Sequence, residues 1–306
     1  MGVLAQAVAD PFRFQAHPDV WLLVAFLTGA YVYMVRVVGP HAVPAGEPVV
    51  TRPQIFAFAG AMALLWAASD WPIHDIGEGY LYSAHMLQHM MLSYFMPPLA
   101  LIATPTWLLR TLVGDGRGYA VLKWFCKPVV AGVLFNVAVM VTHIPGVVNA
   151  SVDSPSPVLH YVLHVMVVVT SLLMWMPVCG PFPEFHLGTG GKMIYLFLQS
   201  VIPTVPAGWL TFAEGTVYKA YDQPVRVWGL SITDDQQLAG AIMKTGGAIF
   251  LWSIVVTLWF KRFSASHKDE YDFRRPATGD VLTYDDVERE FSTTTAPPEP
   301  GRPLQG

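Results

Sequence analysis

Charge is what this chain has least of. Only 13% of its 306 residues are Asp, Glu, Lys or Arg, about half the share of a soluble globular domain. The first 260 residues hold just 11 basic and 13 acidic side chains, while the stretch from Lys261 onward holds 7 and 9. A soluble core of that size could not cover its surface with so few charges, which disfavours a soluble enzyme. Cysteine is scarce too: two residues cannot build the disulfide framework of a secreted scaffold. A net charge of −4 leaves no basic excess to neutralise phosphates, which disfavours nucleic acid as a partner. What is present instead is hydrocarbon, with 53% hydrophobic residues and a mean hydropathy of +0.43. The composition is that of a polytopic membrane protein embedded in a lipid bilayer.

A span needs about 20 mainly apolar residues. Seven candidates occur, roughly Trp21–Val38, Gln54–Ser69, Leu81–Ala103, Pro128–Ile144, Val158–Val178, Met193–Phe212 and Leu238–Phe260. The fold class expected is an all-α helix bundle. Three regions follow: residues 1–20 as an extracytoplasmic segment, 21–260 as the seven-span membrane domain, and 261–306 as a cytoplasmic tail. The tail is charged, then Thr- and Pro-rich over Ser292–Pro303, and is expected to be mostly disordered. No Lys or Arg precedes Arg13 and no apolar run there is long enough for a signal-peptide core, so the first span is expected to remain and to act as its own targeting signal.

Lys and Arg accumulate in cytoplasmic loops. With the amino terminus outside, the inner segments carry 14 of the 18 basic residues: Arg36, Arg52, Arg110, Arg117, Lys123, Lys127, Lys192 and seven in the tail. The outer segments carry Arg13, Lys219 and Arg226, and Lys244 lies within the seventh span. The bias assigns the amino terminus outside and the carboxyl terminus inside.

Ionisable side chains within a membrane are costly and point to function. Five of the ten histidines fall in the spans: His85 and His89 on the third, His143 on the fourth, His160 and His164 on the fifth. The two i, i+4 pairs each place both rings on one helix face, a spacing that suits imidazoles sharing a metal ion. The third and fifth spans run inward and carry their histidines early; the fourth runs outward and carries His143 late. At about 1.5 Å per residue all five lie roughly 4 to 12 Å outside the midplane. Met86, Met90 and Met91 surround the first pair, and Met140 lies one turn inward of His143. Imidazole suits zinc, copper and iron, whereas thioether selects Cu(I). The candidate metal residues are therefore His85, His89, His143, His160, His164, Met86, Met90 and Met140. Set against this reading, membrane histidines also serve as helix-to-helix hydrogen-bonding groups, and methionines as packing. The outer loop Asp70–Gly79, with Asp70, His74, Asp75 and Glu78, offers a patch where a cation could first dock.

Other features are weaker. Cys126 and Cys179 map to the reducing side, which disfavours a disulfide. Pro97-Pro98, and Pro203 and Pro206 with Gly208, are expected to kink their helices by removing backbone donors. Asp234 and Asp235 read as a helix start signal, and Lys244 either snorkels outward or pairs with Asp235 or Asp70.

Several of these segments together resemble the CtaG-type cytochrome c oxidase assembly family. They are Ser83-Ala84-His85-Met86-Leu87-Gln88-His89-Met90-Met91-Leu92 followed by Pro97-Pro98-Leu99, Leu134-Phe135-Asn136 with Thr142-His143-Ile144-Pro145, Leu159-His160-Tyr161-Val162-Leu163-His164, and Asp235-Gln236-Gln237-Leu238-Ala239-Gly240 leading to Met243. The resemblance runs from about Trp21 to Phe260. It implies a multi-pass protein of the bacterial plasma membrane, without enzymatic activity, needed to form active haem–copper oxidase through copper delivery. Its partners would be oxidase subunits and an extracytoplasmic copper donor. The five histidines correspond in position to those of the family. One departure stands out: the family pattern places Trp after Met243, and here Lys244 follows, a cation that argues against Met243 as a ligand.

Two other functions fit the same histidines. A membrane haem protein for electron transfer could use imidazoles from different helices as axial ligands, although i, i+4 neighbours cannot reach opposite haem faces. A copper or proton transporter could use the cluster and the broken helices, although the inner half offers few polar groups beyond Asn136 and Gln199.

Overall fold

The long apolar runs fold as helices. A computed structural model describes residues 10–152, 156, 158–274 and 283–293, and among these every regular element is helical. α1 spans Pro18–Ala42, and α2, Arg52–Ser69, starts where the Thr51 N–H donates to the Gln54 side chain at 2.9 Å. A short helix α3, Ile73–Gly79, turns back before α4, Tyr82–Ala103. Two short helices, α5 (Thr106–Val113) and α6 (Arg117–Phe125), lead to α7, Pro128–Thr142, and α8 is Pro145–Val152. α9 is Val158–Cys179 and α10 is Thr189–Thr211. α11 runs from Ile232 through Ala265, its helical backbone continuing to Arg274.

Among the described residues six helices are long and apolar enough to cross a membrane, and α6 with α7, which meet at a bend of 67°, together make a candidate seventh span. The multi-pass all-α architecture is the one expected. The bundle core divides along its length. Met174, Trp175, Phe135, Tyr195, Leu196 and Leu251 fill one half, and Tyr82, Met86, Leu210, Tyr218 and Tyr221 fill the other.

Pro97 removes a backbone donor from α4 as expected, and the helix nevertheless runs on without interruption from Tyr82 to Ala103. Pro97 has no N–H for the Ser93 carbonyl four residues earlier, and the Trp175 indole donates to that carbonyl instead, at 3.2 Å. The turn before it, Met91–Phe95, widens to π geometry, as Ile242–Gly246 does in α11. α10 breaks at Ile202–Pro203. Asn136 and Gln199 do not line a path: Asn136 Nδ2 donates to Gln199 Oε1 at 2.7 Å, tying α7 to α10.

Residues Met1–Leu258 form one compact unit and Trp259–Gly306 a second. In the second unit helix persists well past Phe260, where disorder was expected to begin, and α12 covers Tyr284–Thr293. It is capped by Thr283, which donates through its N–H (3.1 Å) and hydroxyl (2.6 Å) to Asp286. These bonds hold the Asp286 carboxyl below its ordinary range. The rest of the expected disordered tail, and residues 1–9 of the amino-terminal segment, lie outside the described residues.

Candidate metal centre

α4 carries two side-chain stripes at one level. His85 and His89 stack one turn apart, with ring centroids 4.5 Å from each other. Met86 and Met90, each one residue further on, form a second stripe about 100° round the helix. The imidazole stripe faces α9, whose own pair, His160 and His164, stands 4.3 Å ring to ring. Between the two helices the rings come within 4.9 Å for His89–His164, 5.5 Å for His85–His164 and 5.7 Å for His85–His160.

α3 inserts a carboxylate into this space. Glu78 Oε1 lies 2.7 Å from His160 Nε2, 3.4 Å from His85 Nδ1, and 3.9 Å from both His164 Nε2 and His74 Nδ1. The two shorter contacts lack the alignment of an N–H···O bond, and the two at 3.9 Å are too long for one. Glu78 Oε1, His85 Nδ1, His89 Nε2, His160 Nε2 and His164 Nε2 are all buried without a hydrogen-bond partner. Two triads bring their ligand atoms within 4.8 Å of one another: His85, His89 and His164, and Glu78, His160 and His164. Buried polar atoms normally find partners, so five that converge without one make a donor set suited to a cation. Imidazole with one carboxylate fits a borderline transition metal such as copper or zinc.

A network sets α3 and the ends of the helices in place. Gln88 donates to His74 Nδ1 at 3.1 Å. His17 meets Asp75 at 3.1 Å, and Asp70 accepts from the Trp21 indole at 2.7 Å and from Trp66. On the far side Tyr82, Tyr218 and Tyr221 form an aromatic wall beside His85. Burial, with Glu78 and Asp235 adding to it, pushes the Tyr221 phenol well above its ordinary range, so it stays a neutral group facing the cluster.

His143 caps α7. Its Nδ1 lies 2.6 Å from the Val139 carbonyl and its Nε2 3.3 Å from Met86 Sδ. Tyr218 donates to the His143 carbonyl at 3.0 Å. All five histidines thus share one region, reached from α4, α7 and α9. Met86 and Met90 are buried with them.

Met140 does not join them. It is 42% exposed, because with Val129, Val133 and Val137 it occupies the outward stripe of α7 while Phe135, Ala138, Val139 and Thr142 take the inward one. Met243, argued against from its neighbour Lys244, lines a cavity with His143 and Met86. Lys244 is exposed instead. It pairs with neither proposed acid: Asp70 serves the indoles, and Asp235 accepts from the backbone of Tyr82 and Ser83. Glu78 was visible in the sequence as part of an outer acidic patch, and nothing in its spacing set it among the histidines.

Fold and site define a multi-pass helical protein with a buried imidazole–carboxylate cluster at one end of its bundle. The profile of the cytochrome c oxidase caa3 assembly factor family (Caa3_CtaG) matches residues 29–264, and the chain belongs to that family. No curated relative and no solved structure matches it.

Proposed function

We propose that the protein is a non-catalytic copper carrier of the bacterial plasma membrane. It takes the ion from an extracytoplasmic donor, holds it among the histidines and passes it to a cytochrome c oxidase subunit. Copper is cargo here, and the assembly role of the family is the setting in which it moves. The observation that carries this reading is Glu78 Oε1, ringed by imidazoles of α3, α4 and α9 at 2.7 to 3.9 Å. Its negative charge offsets that of a bound cation. Several interchangeable imidazoles let ligands exchange one at a time, as a transfer requires.

A haem slot is disfavoured because the Glu78 carboxylate stands in the space between the α4 and α9 rings. A transport path is disfavoured by the apolar packing of Phe135, Met174, Trp175 and Leu251 in the other half of the bundle, with Asn136 and Gln199 bonded to each other.

The test pairs two readouts on the protein with His85, His89, His160 and His164 replaced. Copper bound by the detergent-purified chain is expected to fall, and so is the copper content of oxidase matured in cells carrying the variant. Oxidase with normal copper and activity would overturn the reading, and a Soret band lost in the variant would replace it with haem binding.

A further inference from the structure

The thioether stripe of α4 faces away from Glu78, into a separate cavity of about 30 Å³, which is room for a single ion or water. Met86, Met90 and Met243 line it together with His89 and His143, and the remaining wall is hydroxyl or hydrocarbon with no carboxylate. Three thioethers and two imidazoles around one ion-sized space already depart from ordinary core packing.

The protonation of His143 adds an independent observation. Its Nδ1 sits 2.6 Å from the Val139 carbonyl, which only accepts, so Nδ1 carries the proton. Thr142 Oγ1, 3.3 Å from the same nitrogen, itself donates to the carbonyls of Ala138 and Val139 at 3.0 Å and accepts from the ring. Nε2 therefore presents its lone pair, and it does so 3.3 Å from Met86 Sδ. Neither atom has a proton to give the other. Two electron-pair donors held face to face in a buried site are what a shared metal ion needs.

We propose that this cavity is a second, softer metal site, specific for Cu(I), with His143 Nε2 and Met86 Sδ as its core ligands and Met90, Met243 and His89 around them. The inference rests on the copper reading above and divides the site in two. Thioether sulfur selects Cu(I) over harder ions. The Born cost of burying an ion rises with the square of its charge, so a wall without carboxylates favours a monovalent one. His89 belongs both to this cavity and to the triad with His85 and His164. A Cu(I) ion can therefore pass between the two sites through one shared imidazole, with no change of oxidation state.

The test uses the full chain in detergent, anaerobically, with Cu(I) as the only added metal. Wild type is expected to bind two ions per chain and to show sulfur in the copper shell by X-ray absorption. Met86→Leu with Met243→Leu, close in volume to the originals, is expected to keep one ion and lose most of the sulfur signal, Met90 being the one thioether left at the cavity. Glu78→Gln is expected to keep the sulfur-ligated ion. A copper shell of nitrogen and oxygen alone in wild type would overturn the second site and leave the copper reading standing. So would a sulfur signal and stoichiometry that survive both methionine substitutions. A chain that binds no Cu(I) would overturn both. Should the double variant fail to fold, the spectrum of a chain with Cys126→Ala and Cys179→Ala, in which thioether is the one kind of sulfur left, still decides.

Discussion

Single side chains from distant segments hold the ends of the histidine helices. α4 begins after Leu81, which has no side-chain acceptor for the first N–H groups of the helix. Asp235, 1% exposed, supplies one from α11: it accepts from Tyr82 N at 2.7 Å, from Ser83 N at 3.0 Å and from the Ser83 hydroxyl. An anion at a helix start also meets the positive end of the helix dipole. Its neighbour Asp234 is the local start signal that the sequence suggested, bonded to the Ser231 hydroxyl in an exposed cap. The two adjacent acids therefore predict very different substitutions. Asp235→Ala strands two buried backbone N–H groups and a hydroxyl and should cost about 3 kcal/mol; Asp234→Ala should cost about 0.5 kcal/mol. Thermal unfolding in detergent checks this, and equal shifts for both would show that Asp235 is not the cap of α4. Sequence position made Asp235 legible as a helix start signal but not as a partner of Tyr82, because the contact joins residues 153 positions apart. Glu78 was hidden for the same reason: its role depends on how α3 docks, which no local pattern encodes.

At the scale of elements, periodicity made the histidine pairs readable and helix rotation decided which methionines accompany them. Met86 and Met90 follow their histidines by one residue and stay on the inward side of α4. Met140 precedes His143 by three residues, but His143 lies past the last turn of α7 as its cap, so the helical phase that linked the two no longer holds. The docking of α3 is set by a residue with no side chain. A Cβ at Gly77 would lie 3.0 Å from the His85 nitrogen and 3.1 Å from its Cα, both backbone atoms that cannot swing away. Gly79, two residues on, has open space around it. Gly77→Val is therefore expected to lift α3 from α4 and pull Glu78 away from the rings. Copper affinity should then fall by about tenfold, the order seen when a ligand's support is lost, while Gly79→Ala leaves it unchanged. Equilibrium dialysis against a copper buffer measures both. Unchanged affinity in Gly77→Val would mean that Glu78 does not contribute to the site.

Across the unit Met1–Leu258, the loops sort into two ends, and this bears on which side of the membrane the cluster faces. At one end the Trp107 indole donates to the Val49 carbonyl at 2.8 Å, the Thr106 hydroxyl to the Pro181 carbonyl at 2.7 Å, and Arg110 approaches Glu184 at 3.4 Å. The loops after α1, α4 and α9 therefore meet there. At the other end His17 meets Asp75, Tyr218 bonds to the His143 carbonyl, and Ala220 N donates to Asn149 at 3.1 Å. That alternation requires α7 to cross, although at 15 residues it is the shortest of the seven. The same alternation sorts the basic residues. It puts Arg36, Arg52, Arg110, Arg117, Lys123, Lys127 and Lys192 at the first end and only Arg13, Lys219 and Arg226 at the histidine end. Cytoplasmic loops gather Lys and Arg, so the cluster should face outward, where an extracytoplasmic donor could reach it. Two exposed positions test this: Glu47→Cys on the basic end and Glu214→Cys on the histidine end, each in a chain with Cys126→Ala and Cys179→Ala. A membrane-impermeant maleimide added to intact cells is expected to label Glu214→Cys and to reach Glu47→Cys only after the cells are broken. The reverse pattern would turn the bundle over, and copper would then have to arrive from the cytoplasm.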